Sequence, residues 1–196
     1  ENSFTLTLHY ENIEDPLFMK KPQTIFVCSM SDIFHKDVPD EFILKLFEVM
    51  NKAHWHTFQV LTKRAERIKE LNDSITWTKN IWLGTTVESE KVTHRIDYLR
   101  ESGAYIKFLS IEPLLSPIND LKLKNIDWVI VGGESGAKAR PMLKEWVIDI
   151  KNQCKAQDVP FFFKQWGGKN KKKAGRLLDN NTYDEMPKKI TEDIFG

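Results

Sequence analysis

Short apolar runs recur along the chain and each ends in a small polar cluster, the pattern expected of strands buried on both faces. The runs at 4–8, 24–30, 57–61, 81–87, 105–111, 128–131 and 160–163 predict seven strands. Between several of them the spacing becomes helical. Residues 40–51 place Phe42, Ile43, Leu46, Phe47 and Met50 on one face, and Val38-Pro39-Asp40 supplies a start for that helix. Shorter helices are predicted over 64–71 and over 91–102, the latter with Val92, Ile96 and Leu99 inward and Gly103 as its stop. A last helix over 143–157 buries Trp146, Val147 and Ile150.

Strands alternating with helices imply parallel pairing with right-handed crossovers, in a closed barrel or an open doubly wound sheet. Polar clusters follow nearly every run: Ser29-Met30-Ser31-Asp32, Thr62-Lys63-Arg64, Thr85-Thr86-Val87-Glu88, Ser110-Ile111-Glu112, Gly132-Gly133-Glu134-Ser135 and Lys164-Gln165-Trp166. An open sheet concentrates its site at one switch point, whereas a barrel spreads it over the strand ends. The chain therefore reads as α/β, a TIM-barrel-like fold, partial or open, of mostly parallel strands. The link 113–127 holds Pro113 and Pro117 and little helical pattern, which predicts an irregular crossover. Residues 1–168 form the expected barrel-like domain, and 169–196 a basic, polar extension of it.

With 196 residues, 41% of them hydrophobic, the chain can bury one substantial core. Its 29 basic and 28 acidic residues nearly cancel, so any polyanion must be held by a local patch. Cys28 and Cys154 are the two cysteines and are far apart, unlike a secreted disulfide framework, which points to a reducing cytoplasm. No apolar run approaches the roughly 18 residues of a membrane helix, so no membrane partner is expected. The chain opens at Glu1-Asn2-Ser3 without an initiator methionine, and upstream sequence is expected to have been removed.

Glu88, Glu112 and Glu134 each follow a predicted strand at equivalent points of successive units, so a barrel gathers three carboxylates around one mouth. Such a set can lift the pKa of one member for acid–base catalysis, or bind a cation or an amine. Alternatively each caps a helix or pairs with Lys63, Arg64, Arg95 or Arg140. Gly132-Gly133-Glu134-Ser135-Gly136 either lets a ligand approach the backbone or forms a plain tight turn. Thr62-Lys63-Arg64 places two cations at a strand end, where they suit a phosphate or carboxylate and do nothing for a helix dipole. His54 and His56 share a face but make too few ligands for a metal, and His35 and His94 read as structural or solvent-facing. The basic cluster Lys169, Lys171, Lys172, Lys173 and Arg176, with Trp166 beside it, can neutralise phosphates while the indole stacks on a base.

Long stretches of the chain resemble a known family. They are 21–27, 29–35, 54–64, Phe108-Leu109-Ser110-Ile111-Glu112-Pro113-Leu114, Asp127-Trp128-Val129-Ile130-Val131-Gly132-Gly133-Glu134-Ser135-Gly136 and Pro160-Phe161-Phe162-Phe163-Lys164-Gln165-Trp166-Gly167-Gly168. They resemble the phage-associated three-cysteine-motif family, a domain of unknown function in phages and prophages that looks like a radical S-adenosylmethionine barrel. The likeness implies an N-terminal segment with three close cysteines holding a [4Fe-4S] cluster, one iron of which takes S-adenosylmethionine. Cys28 and Cys154 match none of those positions, so no cofactor is expected for this chain alone. The loss agrees with seven strands where a closed barrel needs eight. Gly132-Gly133-Glu134 is not equated with the glycine-glycine-glutamate motif of radical enzymes, which follows an early strand.

On this reading Ser29, Ser31, Asp32, Thr62, Lys63, Ser110, Gly132 and Gly133 are candidates for the cofactor pocket, and Glu88, Glu112 and Glu134 for catalysis. Arg64, Lys164, Trp166 and the basic cluster are candidates for substrate or nucleic acid. The first expectation is a radical S-adenosylmethionine-like protein acting on nucleic acid or a nucleotide, inactive without its cluster segment. The alternatives are a non-catalytic barrel binding nucleic acid or a protein partner, and a metal-dependent hydrolase using the strand-end carboxylates with His35.

Overall fold

The computed structural model describes residues 6–27 and 31–190, and a wholly parallel sheet of six strands runs through it. The strands are β1 (Thr24–Val27), β2 (Thr57–Thr62), β3 (Ile81–Thr86), β4 (Ile106–Ile111), β5 (Trp128–Gly132) and β6 (Phe161–Gln165). Each pairs in parallel with the next, so spatial order follows chain order and the sheet has no switch point. It curls as a partial barrel. The helices are α1 (Asp15–Phe18), α2 (Asp40–Lys52), α3 (Ala65–Leu71), α4 (Arg95–Glu101), α5 (Lys144–Ala156) and α6 (Lys171–Ala174).

The two-residue period of a strand sorts side chains into two cores. Ile81, Leu83, Leu109, Ile111, Val129, Val131, Phe161 and Phe163 point to the helices, where they meet Ile43, Phe47, Ile68, Leu99, Val147 and Ile150. The alternate positions Trp82, Ile106, Phe108 and Trp128 form a second cluster on the concave face, with Leu61, Ile130, Phe162 and Ile190 against it. Its rings meet edge-on, Trp82 to Trp128 at 6.2 Å and Trp128 to Phe162 at 5.7 Å. Gly84 makes room for it, since a Cβ there would stand 2.4 Å from the Phe108 ring. The Trp128 indole N–H donates to Glu185 O at 2.8 Å. The segment after α6 therefore returns to plug the lower half of the concavity. It also covers the outer edge of β6, where Phe163 N–H donates to Tyr183 O and Phe162 bridges Asp184.

The first predicted strand is not seen among the described residues. Phe4 and Thr5 lie outside the described residues, and Leu6 to Leu8 are not in a strand. The chain here packs on α2 instead of the sheet: it turns through Tyr10–Asn12, and Tyr10 meets Phe42 edge-on at 4.9 Å. The predicted helix over 91–102 splits into a 3-10 turn, Glu90–Val92, and α4. Thr93 Oγ1 donates back to Glu90 O, the local side-chain bond with which threonine competes against a continuing helix.

The link from β4 to β5 is irregular, as its two prolines predicted, and begins with a cis Glu112–Pro113 peptide. Its backbone is satisfied by two glutamines one turn apart on or beside α5. Gln153 accepts from Leu121 N–H and donates to Ile118 O, while Gln157 accepts from Leu123 N–H and donates to Leu121 O. No helix among the described residues is long and apolar enough to cross a membrane.

Candidate functional site

The described residues of the polar clusters predicted after the strands lie at the carboxyl edge of the sheet, where a parallel barrel carries its chemistry. Asp32 anchors the β1 side. Its carboxylate accepts from Thr62 Oγ1 (2.8 Å), Phe34 N–H (3.0 Å), Lys63 N–H (3.0 Å) and Arg64 Nη1 (2.9 Å), which staples the 31–38 loop to the end of β2. Arg67 fastens the same loop by donating to His35 O, Val38 O and Asp40. Ser31 is exposed beside it, and Ser29 lies outside the described residues.

Glu88, past β3, takes Lys63 at 2.7 Å on one oxygen and Arg95 at 2.9 Å on the other. Burial pushes its carboxyl up, but the Lys63 hydrogen bond, its own backbone N–H and the charges of Lys63 and Arg95 together outweigh that and leave it below the ordinary value. Glu134, past β5, is gripped by Arg140 Nε and Nη2 at 2.8 and 2.7 Å and by Arg140 N–H at 2.8 Å. The side-chain and then the backbone bonds of Arg140 bring its carboxyl down to about 2. The three carboxylates stand at the ends of successive strands, as predicted. The structure gives Glu88 and Glu134 the paired alternative, and their carboxyls move opposite to the raised pKa that acid catalysis needs.

Glu112, past β4, lies over the concave face. A Cβ on Gly132 would meet its carboxylate carbon at 3.1 Å, so the absent side chain at Gly132 leaves the space that this carboxylate fills. Lys164 Nζ donates to Oε2 at 2.8 Å and Gln165 Nε2 to Oε1 at 3.2 Å, the same amide also reaching Ser135 Oγ at 2.9 Å. Beneath it are Thr86 and Ser110, register partners on β3 and β4 whose positions share the parity of Trp82 and Phe108. They are 3% and 6% exposed. Neither hydroxyl is hydrogen-bonded among the described residues, and neither oxygen is a fully buried unsatisfied atom, so neither is sealed from solvent. The concavity thus has three tiers: aromatic rings below, the small residues Thr86, Ser110 and Gly132 above them, and a charged rim.

Gly133 and Gly167 have a packing reason. A Cβ on Gly133 would stand 2.0 Å from Trp166 O, and one on Gly167 2.3 Å from Glu134 O. The loops after β5 and β6 therefore run backbone to backbone, with Gly168 N–H donating to Glu134 O at 2.7 Å and Gly136 N–H to Gly168 O at 3.1 Å. Trp166 is half-buried, packed edge-on to Phe163 at 4.9 Å, and donates its indole N–H to Leu177 O. Arg176 lies 5.2 Å over the Phe162 ring and pairs with Asp184. Lys169 and Lys173 are exposed, and the side chains of Lys171 and Lys172 lie outside what is described.

Gln165 and Thr86 line the concavity and were not among the predicted site positions. The signal for Thr86 was present: Gly84, Thr86, Ser110 and Gly132 are small residues at inward parity among bulky neighbours. Gln165 became visible only once β6 was registered against β5, across a bulge at Val131/Gly132. Away from the rim, a cavity of about 370 Å³ lies between α2 and residues 74–76, and one of about 660 Å³ between α5 and residues 183–188. No three or more His, Cys, Asp or Glu among the described residues are placed to hold a metal ion. Cys154 is fully buried on α5, its thiol pushed up to about 12 by burial and then by the charge of Glu185. A thiol held protonated is no ligand for an iron–sulfur cluster, and Cys28 lies outside the described residues, so those described do not fit such a cluster.

No match is found among curated proteins or among solved structures. A family model described as "Protein of unknown function (DUF5131)" matches residues 1–187, and the chain belongs to that family.

Proposed function

We propose that this chain is the substrate-side body of a radical S-adenosylmethionine-like protein of phages or prophages, with a nucleotide or nucleic acid received at the carboxyl edge of the sheet. The observation that carries the reading is the tiered concavity in a sequentially ordered parallel sheet, where the small polar residues Thr86 and Ser110 lie under a charged rim. Barrel enzymes place substrates at this edge, above a packed lower interior. The described residues supply no cluster ligands, so any cluster is held by residues outside them and no chemical step is assigned here. This chain's part is to bind and orient. The test is anaerobic iron–sulfide reconstitution of the full-length gene product, read by iron content, with S-adenosylmethionine retention by equilibrium dialysis. Cluster and S-adenosylmethionine both bound is the expected result; neither bound overturns the proposal.

A second reading, a non-catalytic nucleic-acid-binding barrel, is favoured by exposed Lys169 and Lys173, which have no ion-pair partner among the described residues. Phosphate-driven binding weakens steeply with salt. Failure to retain DNA or RNA at low salt removes it.

A further inference from the structure

We propose that the Glu112–Lys164 pair reads the hydrogen-bonding edge of a guanine base, an inference that rests on the concavity being the ligand site. Three polar atoms follow one another there. Glu112 Oε1 and Oε2 are acceptors, and Lys164 Nζ, 2.8 Å from Oε2, is a donor. A carboxylate has about four lone-pair sites and an ammonium three protons. Gln165 occupies one site on Oε1 and Lys164 one on Oε2, so each oxygen retains acceptor capacity and the ammonium retains protons. The row acceptor–acceptor–donor is complementary to donor–donor–acceptor. Among the nucleobases guanine presents that sequence, as its exocyclic amine, its ring N–H and its carbonyl oxygen. Adenine, cytosine and uracil each oppose at least one atom of the row with its like.

The surroundings hold the row still and leave a place beside it. Gly132 lets the carboxylate lie on the concave face, and Gln165, itself bonded to Ser135, fixes the rotation of that carboxylate. Ser110, two residues before Glu112 at the same strand parity, adds a hydroxyl beside the row. Glu88 and Glu134 have a cation on each oxygen. Glu112 has one contact from a lysine, which can move aside, and one from an amide.

Guanine can arrive as a free nucleotide or as a base within a single strand, and the shared chemistry is the base edge. The experiment is calorimetric titration of the full-length gene product with GMP, AMP and IMP, and with pyrimidine oligonucleotides carrying one guanine or one inosine. GMP is expected to bind at least about tenfold tighter than AMP, the scale of one bidentate base contact, with IMP between them for want of the amine. Glu112→Gln, which turns one acceptor into a donor, and the exposed Lys164→Met should each abolish the preference. Whichever of GMP and the guanine oligonucleotide binds tighter names the source. Equal binding of GMP and AMP, or a preference untouched by both variants, overturns the assignment. Retention of S-adenosylmethionine without guanine preference overturns it and leaves the ligand-site reading standing, whereas retention of none of these ligands overturns both.

Discussion

Gly133 faces the carbonyl oxygen of Trp166 so closely that a single added methyl carbon would stand 2.0 Å from it. The obstacle is backbone and cannot rotate away, and the two loops are further locked by the Gly168 N–H to Glu134 O bond. Gly133→Ala is expected to cost about 3 kcal/mol, the upper part of the overpacking range. Urea denaturation checks it; a loss under about 1 kcal/mol would mean that the loops part easily.

Asp32 should matter to stability for a reason independent of any ligand. Its side chain is 14% exposed and ties two loop or strand-end N–H donors and a threonine hydroxyl to an arginine. Asp32→Ala leaves those donors without their acceptor and is expected to destabilise by roughly 2–4 kcal/mol. Thermal unfolding gives the size, and faster amide exchange at Phe34 and Lys63 would locate it.

The Glu134–Arg140 contact gives a pH signature. Arg140 lowers the Glu134 carboxyl from the ordinary 4.5 to about 2. A depressed folded-state pKa contributes stability that is present above the unfolded value and is lost as pH falls through the folded one. The stability difference between the native protein and Glu134→Gln should therefore be constant above pH 5 and shrink between about pH 4.5 and 2. Chemical denaturation across that range measures it, and a difference independent of pH would show that the pair is not formed in solution.

Cys154 should be inert in the folded protein. Fully buried and with its thiol near 12, it lacks the thiolate that alkylating agents attack. Peptide mapping after iodoacetamide treatment at pH 8 is expected to find it labelled at least about a hundredfold more slowly than a free thiol. Labelling at the free-thiol rate would place α5 away from the sheet.

Much of the sheet was legible from local pattern. Six of the predicted strands form, because runs such as Ile81 to Thr86 are buried on both faces and show it in their composition. The helices over 40–51 and 143–157 match α2 and α5 to within a residue at each end. The failures have a common cause in distance along the chain. Leu6 to Leu8 alternate like a strand, but their fate is set by packing of the neighbouring turn on α2. Pairing of Glu88 and Glu134 with Lys63, Arg95 and Arg140 was foreseen as one of two readings. The Lys164 partner of Glu112 lies 52 residues away, and only register brings it there. Gly133 was read as a possible ligand contact because a sequence does not display the loop that lies against it.

The irregular link between β4 and β5 has a consequence for the order of assembly. Its peptide groups at Ile118, Leu121 and Leu123 find their partners on Gln153 and Gln157. A helix closes its own bonds as it forms; this segment borrows them from side chains that emerge from the ribosome about thirty residues later, the separation of the paired positions. The strands β1 to β4 can therefore mature as they are made, whereas the crossover stays provisional until α5 docks and acts as its template.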